Sequence, residues 1–228
     1  MNEPPKQRWG CLQWGIVVAV GLLLVSLFVP MFTSVAKAGV QMQGVSNCKQ
    51  IILSLKQFCK DNGSAYPDGR FHDLNSSNQI FRKLYQEGVL QDERIFGCAN
   101  SIFVPDGKIG TEPEYEKALV PGECHWMLMK HQTDASPGDV PIVTENALNS
   151  SWPPKWDVSG PASTKRGRAW NGRSIIVGHN DGSVAVEKLQ KNGTTRWHSQ
   201  SNQSGKSWID SLTPDEIAKL SYWDIEEK

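Results

Sequence analysis

The hydrophobic residues near the start of the chain follow two different patterns. Residues 14–36 contain no charged side chain, and a helix of this length reaches roughly 34 Å, enough to cross a hydrocarbon core of ~30 Å. From Val45 onward, apolar residues recur at three- and four-residue spacing, which indicates a helix with one buried face. That face comprises Val45, Cys48, Ile51, Ile52, Leu55, Phe58 and Cys59. The pattern predicts one long helix, embedded in a membrane in its first half and packed on a globular domain in its second, ending at Asn62-Gly63.

Shorter elements follow. A helix is predicted to begin at Ser76 or Ser77, with Ile80, Phe81, Leu84 and Tyr85 on its apolar face and Gly88 after its end. Residues 125–129 and 140–145 are predicted strands. The alternation in 174–188 around Asn180-Asp181-Gly182 predicts a hairpin. Near the end of the chain, Thr213, Pro214 and Glu216 predict a capping box at the start of a short helix.

The charge balance limits the classes of partner. Lys and Arg total 24 and Asp and Glu total 24, so the chain is formally neutral. This argues against a protein that binds nucleic acid through bulk positive charge. The density of Gly, Pro, Ser and Asn after residue 120, together with most of the nine tryptophans, predicts strands and long loops there.

Membrane topology and processing follow from the flanking charges. Lys6 and Arg8 before the apolar run predict a cytoplasmic head over 1–13, a transmembrane helix over 14–36 and an exported domain over 37–228. Three outcomes stay open for the head: cleavage after Gly10, cleavage after Ala38, and no cleavage. Because the apolar run is longer than a signal-peptide core and the helical pattern continues past Ala38, cleavage there is not favoured.

The run over 45–69, VSNCKQIILSLKQFCKDNGSAYPDG, resembles the N-terminal region of type IV pilin-like proteins. It is similar to major pseudopilins of type II secretion, and more closely to the prepilin-like family of planctomycetes and verrucomicrobia. The matching residues are Asn47, Lys49, Gln50, Ile51, Leu53, Leu55, Asp61, Asn62, Gly63, Tyr66 and Pro67. The hairpin around Asp181-Gly182 resembles the one that ends the same family's domain. Gly15 stands where the family has a glutamate.

The resemblance implies a fold and a function. The expected fold is α+β and pilin-like, with a long N-terminal helix, transmembrane in its first half, packed on an antiparallel sheet. The expected function is a non-catalytic, membrane-anchored pseudopilin-like subunit of a type II secretion or pilus-like assembly. Its expected location is the inner membrane, single-pass, with a cytoplasmic N-terminus and a periplasmic domain. Its expected partners are membrane lipid and like subunits that associate through the N-terminal helix.

Candidate chemistry is sparse, and no catalytic or cofactor-binding set is predicted. His125 and His131 lack the HExxH spacing of a zinc protease, and Cys124 beside His125 is adjacent in sequence only. Asp134 and Asp139 flank a loop that could bind calcium, as a C-terminal loop does in major pseudopilins. No other metal site is predicted.

Three further features leave alternatives open. The aromatic-rich loops around Trp152, Trp156 and Trp170 support a second hypothesis, a singly anchored, exported domain that binds a glycan or protein. The basic residues Lys165, Arg166, Arg168 and Arg173 form either a solvated loop or a contact with an anionic polymer. Cys98 and Cys124 could form a disulfide in an oxidising compartment. Cys48 and Cys59, eleven residues apart on one helix face, are ~16 Å apart and cannot pair.

Overall fold

The computed structural model describes residues 10–160, 163–196 and 207–228, and within these ranges every side chain except those of residues 11–13 and 27–37. The chain divides into two compact units, Met1–Met42 and Gln43–Lys228. Helix α1, Cys11–Asp61, contributes residues to both. The units are described separately below, and the predicted boundaries at 13 and 36 stay predictions.

The second unit contains mixed α and β structure. Its other helices are α2 (Pro67–Arg70), α3 (Ser77–Gln86) and α4 (Pro214–Lys219), with 3₁₀ helices at Glu93–Phe96 and Trp208–Ser211. Its strands are β1 (Trp126–Met129), β2 (Val143–Glu145), β3 (Ser174–Gly178), β4 (Val184–Lys188) and β5 (Tyr222–Trp223). The strands form one antiparallel sheet with the order β4-β3-β2-β1-β5.

The centre of this sheet is buried on both faces. All residues of β1 and β2 are buried, which suits the uninterrupted apolar run Trp126–Met129. Helix α3 lies against β1, where Ser77 Oγ accepts a hydrogen bond from the Leu128 backbone N–H at 3.1 Å. The carboxy-terminal part of α1 contacts β3. The helices therefore cover the strands whose sequences are most apolar.

The predicted packing face of α1 is confirmed. Cys48, Ile52, Leu55 and Cys59 are all buried in the core of the second unit. The helix ends at Asp61, and Gly63 has a φ of 63°, the left-handed conformation predicted for its stop.

Three shorter predictions are also confirmed. Ser76 is the N-cap of α3, and its hydroxyl accepts the Gln79 N–H at 3.2 Å, while Ile80, Phe81, Leu84 and Tyr85 are buried. The hairpin is β3 and β4, with Val177 opposite Ala185 and Gly182 at a φ of 86°. Thr213 and Glu216 form the predicted capping box of α4.

The membrane prediction is wrong. Among the described residues, no helix is both long and apolar enough to cross a membrane. The predicted pilin-like fold class with a transmembrane first half, the inner-membrane location with a periplasmic domain, and the assignment to type II secretion pseudopilins are therefore corrected.

Two glycines allow α1 to approach the sheet closely. A Cβ at Gly178 in β3 would lie 2.3 Å from Ile52 Cδ1 and 2.7 Å from Cys48 Sγ, both on α1. A Cβ at Gly44 on α1 would lie 2.6 Å from Ile176 Cδ1 of β3. The missing side chains on both sides of the contact allow the backbones of helix and strand to lie close together.

We predict that Gly178→Ala lowers the free energy of unfolding by about 1–3 kcal/mol, because the added methyl group overlaps a cysteine sulfur and a buried isoleucine. Urea unfolding of the full chain measures this change. The matched control is Gly39→Ala on α1, since nothing lies within 4 Å of a Cβ there. That variant should be unchanged or up to ~1 kcal/mol more stable. Equal destabilisation by both substitutions would contradict the proposed close contact.

Candidate functional site

A buried cluster of three potential metal ligands lies at one end of β1 and β2. Cys98 follows the first 3₁₀ helix, His125 precedes β1, and Glu145 is the last residue of β2. One ligand atom from each, a sulfur, a ring nitrogen and a carboxylate oxygen, lies within 4.8 Å of the other two. The pairing of Trp126 with Glu145 brings the start of β1 next to the end of β2. His125 is completely buried, Glu145 is 1% exposed and Cys98 is 8% exposed.

Polar neighbours fix the orientation of the His125 ring. Its Nδ1 lies 2.7 Å from Ser101 Oγ and 2.8 Å from Asn146 Nδ2. Asn146 is itself fixed, because its Oδ1 accepts the Gly167 N–H at 2.7 Å. The other ring nitrogen, Nε2, lies 3.9 Å from Glu145 Oε1, beyond hydrogen-bonding distance. His125 Nε2 is buried without a hydrogen-bond partner.

Only one of the two carboxylate oxygens of Glu145 has a hydrogen-bond partner. Its Oε1 accepts the Trp170 indole N–H at 2.5 Å, and its Oε2 is buried without a hydrogen-bond partner. Leaving such an atom unpaired costs ~1–3 kcal/mol, and more when the group is charged. The cluster thus contains two buried polar atoms with unmet bonding capacity, one on His125 and one on Glu145.

The neighbouring groups favour the protonated form of His125. Burial by itself lowers the pKa of His125, but the Cys98 sulfur and the Glu145 carboxylate outweigh that effect and raise the pKa to about 9. Burial, and then the charge of Glu145, raise the pKa of the nearby Cys48 thiol on α1.

The cluster borders a cavity through Cys98. The cavity has a volume of about 220 Å³ and lies between Gln43, Gly44 and Asn47 of α1 and the segment 94–105. Cys98 lines it, whereas His125 and Glu145 are buried and do not. Solvent and small ions can therefore approach the cluster from the side of the cysteine.

A second group of potential ligands contains only carboxylates, from Glu93, Asp106 and Glu123. Its oxygens already have partners. Glu93 accepts the backbone N–H groups of Leu119 at 2.5 Å and Gly107 at 2.9 Å. Glu123 accepts the Val120 N–H at 3.0 Å, and Asp106 binds Lys108. This group therefore fixes the loop between the 3₁₀ helix and β1.

Neither the two histidines His125 and His131 nor the two cysteines Cys98 and Cys124 are brought together. His131 lies beside Trp223, with ring centroids 6.3 Å apart, while His125 lies in the buried cluster. Cys98 and Cys124 are both free and buried, and the Cys124 thiol donates to the Trp126 carbonyl at 3.2 Å. The sequence neighbour of His125 is thus not its chemical partner, and the disulfide left open above is not present.

The predicted calcium loop is not assembled as a site. Asp134 pairs with Lys56 at 2.5 Å, and Asp139 accepts the Trp208 backbone N–H at 2.9 Å. Neither belongs to the two groups of potential metal ligands found among the described residues. Potential metal-ligand groups do exist, but they consist of other residues.

The aromatic loops point inward. Trp156 is buried, and Trp152 packs on Trp208 with a centroid distance of 5.6 Å. Trp170 donates to Glu145. These side chains contribute to the interior and do not form an exposed binding platform.

The basic residues are paired with nearby acids. Arg166 contacts Asp224 and Glu227, each at 2.5 Å, and both Lys165 and Arg168 pair with Asp157. Three of the four basic residues thus have carboxylate partners, so this basic group does not present an unpaired positive surface to an anionic polymer.

Comparisons with known proteins do not place the chain in a family. No protein-family model, no curated protein and no solved structure matches it at a level that shows a relationship. The resemblance of residues 45–69 to prepilin-like proteins stays a prediction.

Sequence reasoning missed the buried cluster because its members are far apart in the chain. Cys98 and His125 are 27 positions apart, His125 and Glu145 are 20 positions apart, and the three follow no ligand spacing. The one available signal was polar residues next to continuous apolar strands, His125 before β1 and Glu145 at the end of β2. A polar residue at the end of a buried strand must find a partner.

We predict that Glu123→Gln stabilises the protein at pH 8 but not at pH 4. Burial raises the pKa of both Glu93 and Glu123. The folded state therefore binds more protons than the unfolded state, and stability falls as pH rises through the unfolded pKa toward the folded one. Glutamine removes this loss and can still accept the Val120 N–H.

Urea unfolding at both pH values measures the difference. The control is Glu114→Gln, an exposed residue, which should change stability by no more than ~0.5 kcal/mol at either pH. An identical effect of Glu123→Gln at pH 4 and pH 8 would contradict the prediction, because it would show that folding does not raise the pKa of Glu123.

Proposed function

We propose that this chain is a non-catalytic structural subunit that assembles with copies of itself through the amino-terminal half of α1. One observation carries the proposal: residues 14–26 of α1 are all exposed, and most of them are large and apolar. Residues 43–228 form the folded domain that each subunit contributes to the assembly.

The exposed apolar residues surround the helix. They include Ile16, Val17, Val18, Val20, Leu22, Leu23, Leu24 and Val25, and Leu22 is 66% exposed. An ordinary surface helix has one apolar stripe and one polar face, whereas a helix that is apolar on all sides is normally buried. A contiguous apolar surface of this kind marks a site of association.

A second copy of the same helix suits this surface. The segment carries no charge, so parallel copies do not repel one another. Gly15 and Ala19 lie four residues apart on one face, and nothing lies within 4 Å of a Cβ at Gly15 or Gly21. Small residues at this spacing allow helix backbones to approach closely.

The non-catalytic part of the proposal is supported by burial. His125 and Glu145 are almost completely buried, so a substrate could not reach the histidine that would act as a base. The alternative hypothesis of a glycan- or protein-binding domain gains no support from the aromatic loops, because Trp152, Trp156 and Trp170 contact the protein's own residues.

The test is the oligomeric state of the full chain and of Leu22→Asp, measured by sedimentation equilibrium from 1 to 100 μM. We predict that the wild type is oligomeric and that Leu22→Asp is monomeric, because an unpaired charge cannot be buried in a helix bundle. The dissociation constant should rise at least about a hundredfold, which corresponds to ~2.7 kcal/mol.

The matched control is Leu53→Asp, which introduces the same charge on an exposed leucine of the same helix. It should leave the oligomer intact. A monomeric wild type at 100 μM, or equal effects of the two substitutions, would contradict assembly through residues 14–26.

A further inference from the structure

We infer that Cys98, His125 and Glu145 bind a transition-metal ion, and that zinc fits this set of ligands best. The inference is independent of the proposed assembly, because it concerns only the folded unit 43–228.

The spacing of the ligand atoms suits one ion. Ligands ~2.0–2.3 Å from a tetrahedral zinc lie roughly 3.3–3.8 Å from one another. His125 Nε2 and Glu145 Oε1 are 3.9 Å apart, and all three ligand atoms lie within 4.8 Å. Movements of a few tenths of an ångström to about one ångström would bring the three atoms to coordination distance.

An ion would also satisfy the two atoms that lack partners. His125 Nε2 and Glu145 Oε2 are buried in residues that are 0% and 1% exposed, and neither has a hydrogen-bond partner. The other carboxylate oxygen, Glu145 Oε1, lies 3.9 Å from His125 Nε2, which is too long for a hydrogen bond between the imidazole and the carboxylate. A metal ion can bind the imidazole and the carboxylate at the same time. Moving a proton from one group to the other would not shorten the distance between them.

The surrounding residues hold the ligands as the outer shell of a metal site does. Metal-bound histidines normally have their second nitrogen fixed by a polar partner, and bound carboxylates normally accept a further hydrogen bond. Here Ser101 Oγ lies 2.7 Å from His125 Nδ1 and can accept its N–H, and the Trp170 indole N–H is donated to Glu145 Oε1. These contacts leave His125 Nε2 and Glu145 Oε2 without hydrogen-bond partners.

The chemical types of the three ligands indicate which metal ion would bind. Thiolate and imidazole favour zinc over calcium or magnesium, which prefer oxygen ligands alone. Three protein ligands leave a fourth position, and water can reach it from the cavity that Cys98 lines. Such an ion would join the loop after the 3₁₀ helix to the ends of β1 and β2.

The experiment uses Co²⁺ as a spectroscopic probe. The full chain is purified, stripped of metal with a chelator and titrated with Co²⁺, and Zn²⁺ is then added. We expect one Co²⁺ per chain, a thiolate-to-cobalt charge-transfer band in the near ultraviolet and tetrahedral d–d bands, all lost when Zn²⁺ displaces the cobalt. Cys98→Ser should lose the charge-transfer band and bind Zn²⁺ at least about tenfold more weakly.

The matched control is Cys124→Ser, a buried free cysteine outside the cluster, which should keep the full spectrum. The wild-type spectrum decides the question even if Cys98→Ser does not fold. Absence of stoichiometric cobalt binding in the wild type would overturn the inference. So would binding without a thiolate band, which would point to the carboxylates of Glu93, Asp106 and Glu123, or equal loss in both serine variants.

Discussion

The contact between α1 and β3 is the constraint on which the rest of the folded unit depends. Gly178 on the strand and Gly44 on the helix remove the side chains that would separate the two backbones, so that Cys48, Ile52 and Ile176 fill the space between them. Because packed interiors have little free volume, this spacing also fixes where the neighbouring strand β2 can lie. Glu145, at the end of β2, is thereby held near Cys48 and His125.

The same constraint accounts for the buried polar cluster. Because both faces of the central strands are covered, the His125 imidazole and the Glu145 carboxylate are buried and are not hydrated as they would be at the protein surface. Ser101, Asn146 and Trp170 replace part of that hydration, and two atoms are left without partners. A cluster of this kind costs stability unless an ion or a proton network completes it. Packing of the helices on the sheet thus determines where the cluster lies. The two atoms without partners determine what the cluster can bind.

Local patterns predicted much of the folded unit and little of its cluster. The packing face of α1, the cap of α3 and the hairpin at Asp181-Gly182 follow from periodicity and turn chemistry within a few residues. The cluster joins Cys98, His125 and Glu145 through tertiary contacts that no local spacing encodes. The membrane prediction rested on the absence of charge over 14–36, whereas among the described residues no helix is both long and apolar enough to cross a membrane. The exposed residues 14–26 instead motivate the assembly proposal.

The central claim is that the carboxy-terminal part of α1 and the sheet form one cooperative core. Native-state hydrogen exchange of the full chain tests it most directly, by comparing the backbone amides of residues 48–59 with those of β1 and β3. The account predicts that both sets exchange only through global unfolding, with the same opening free energy and the same dependence on denaturant. Amides 48–59 that open at a clearly lower free energy than the strand amides would show that the helix is not part of the core, and would contradict the account.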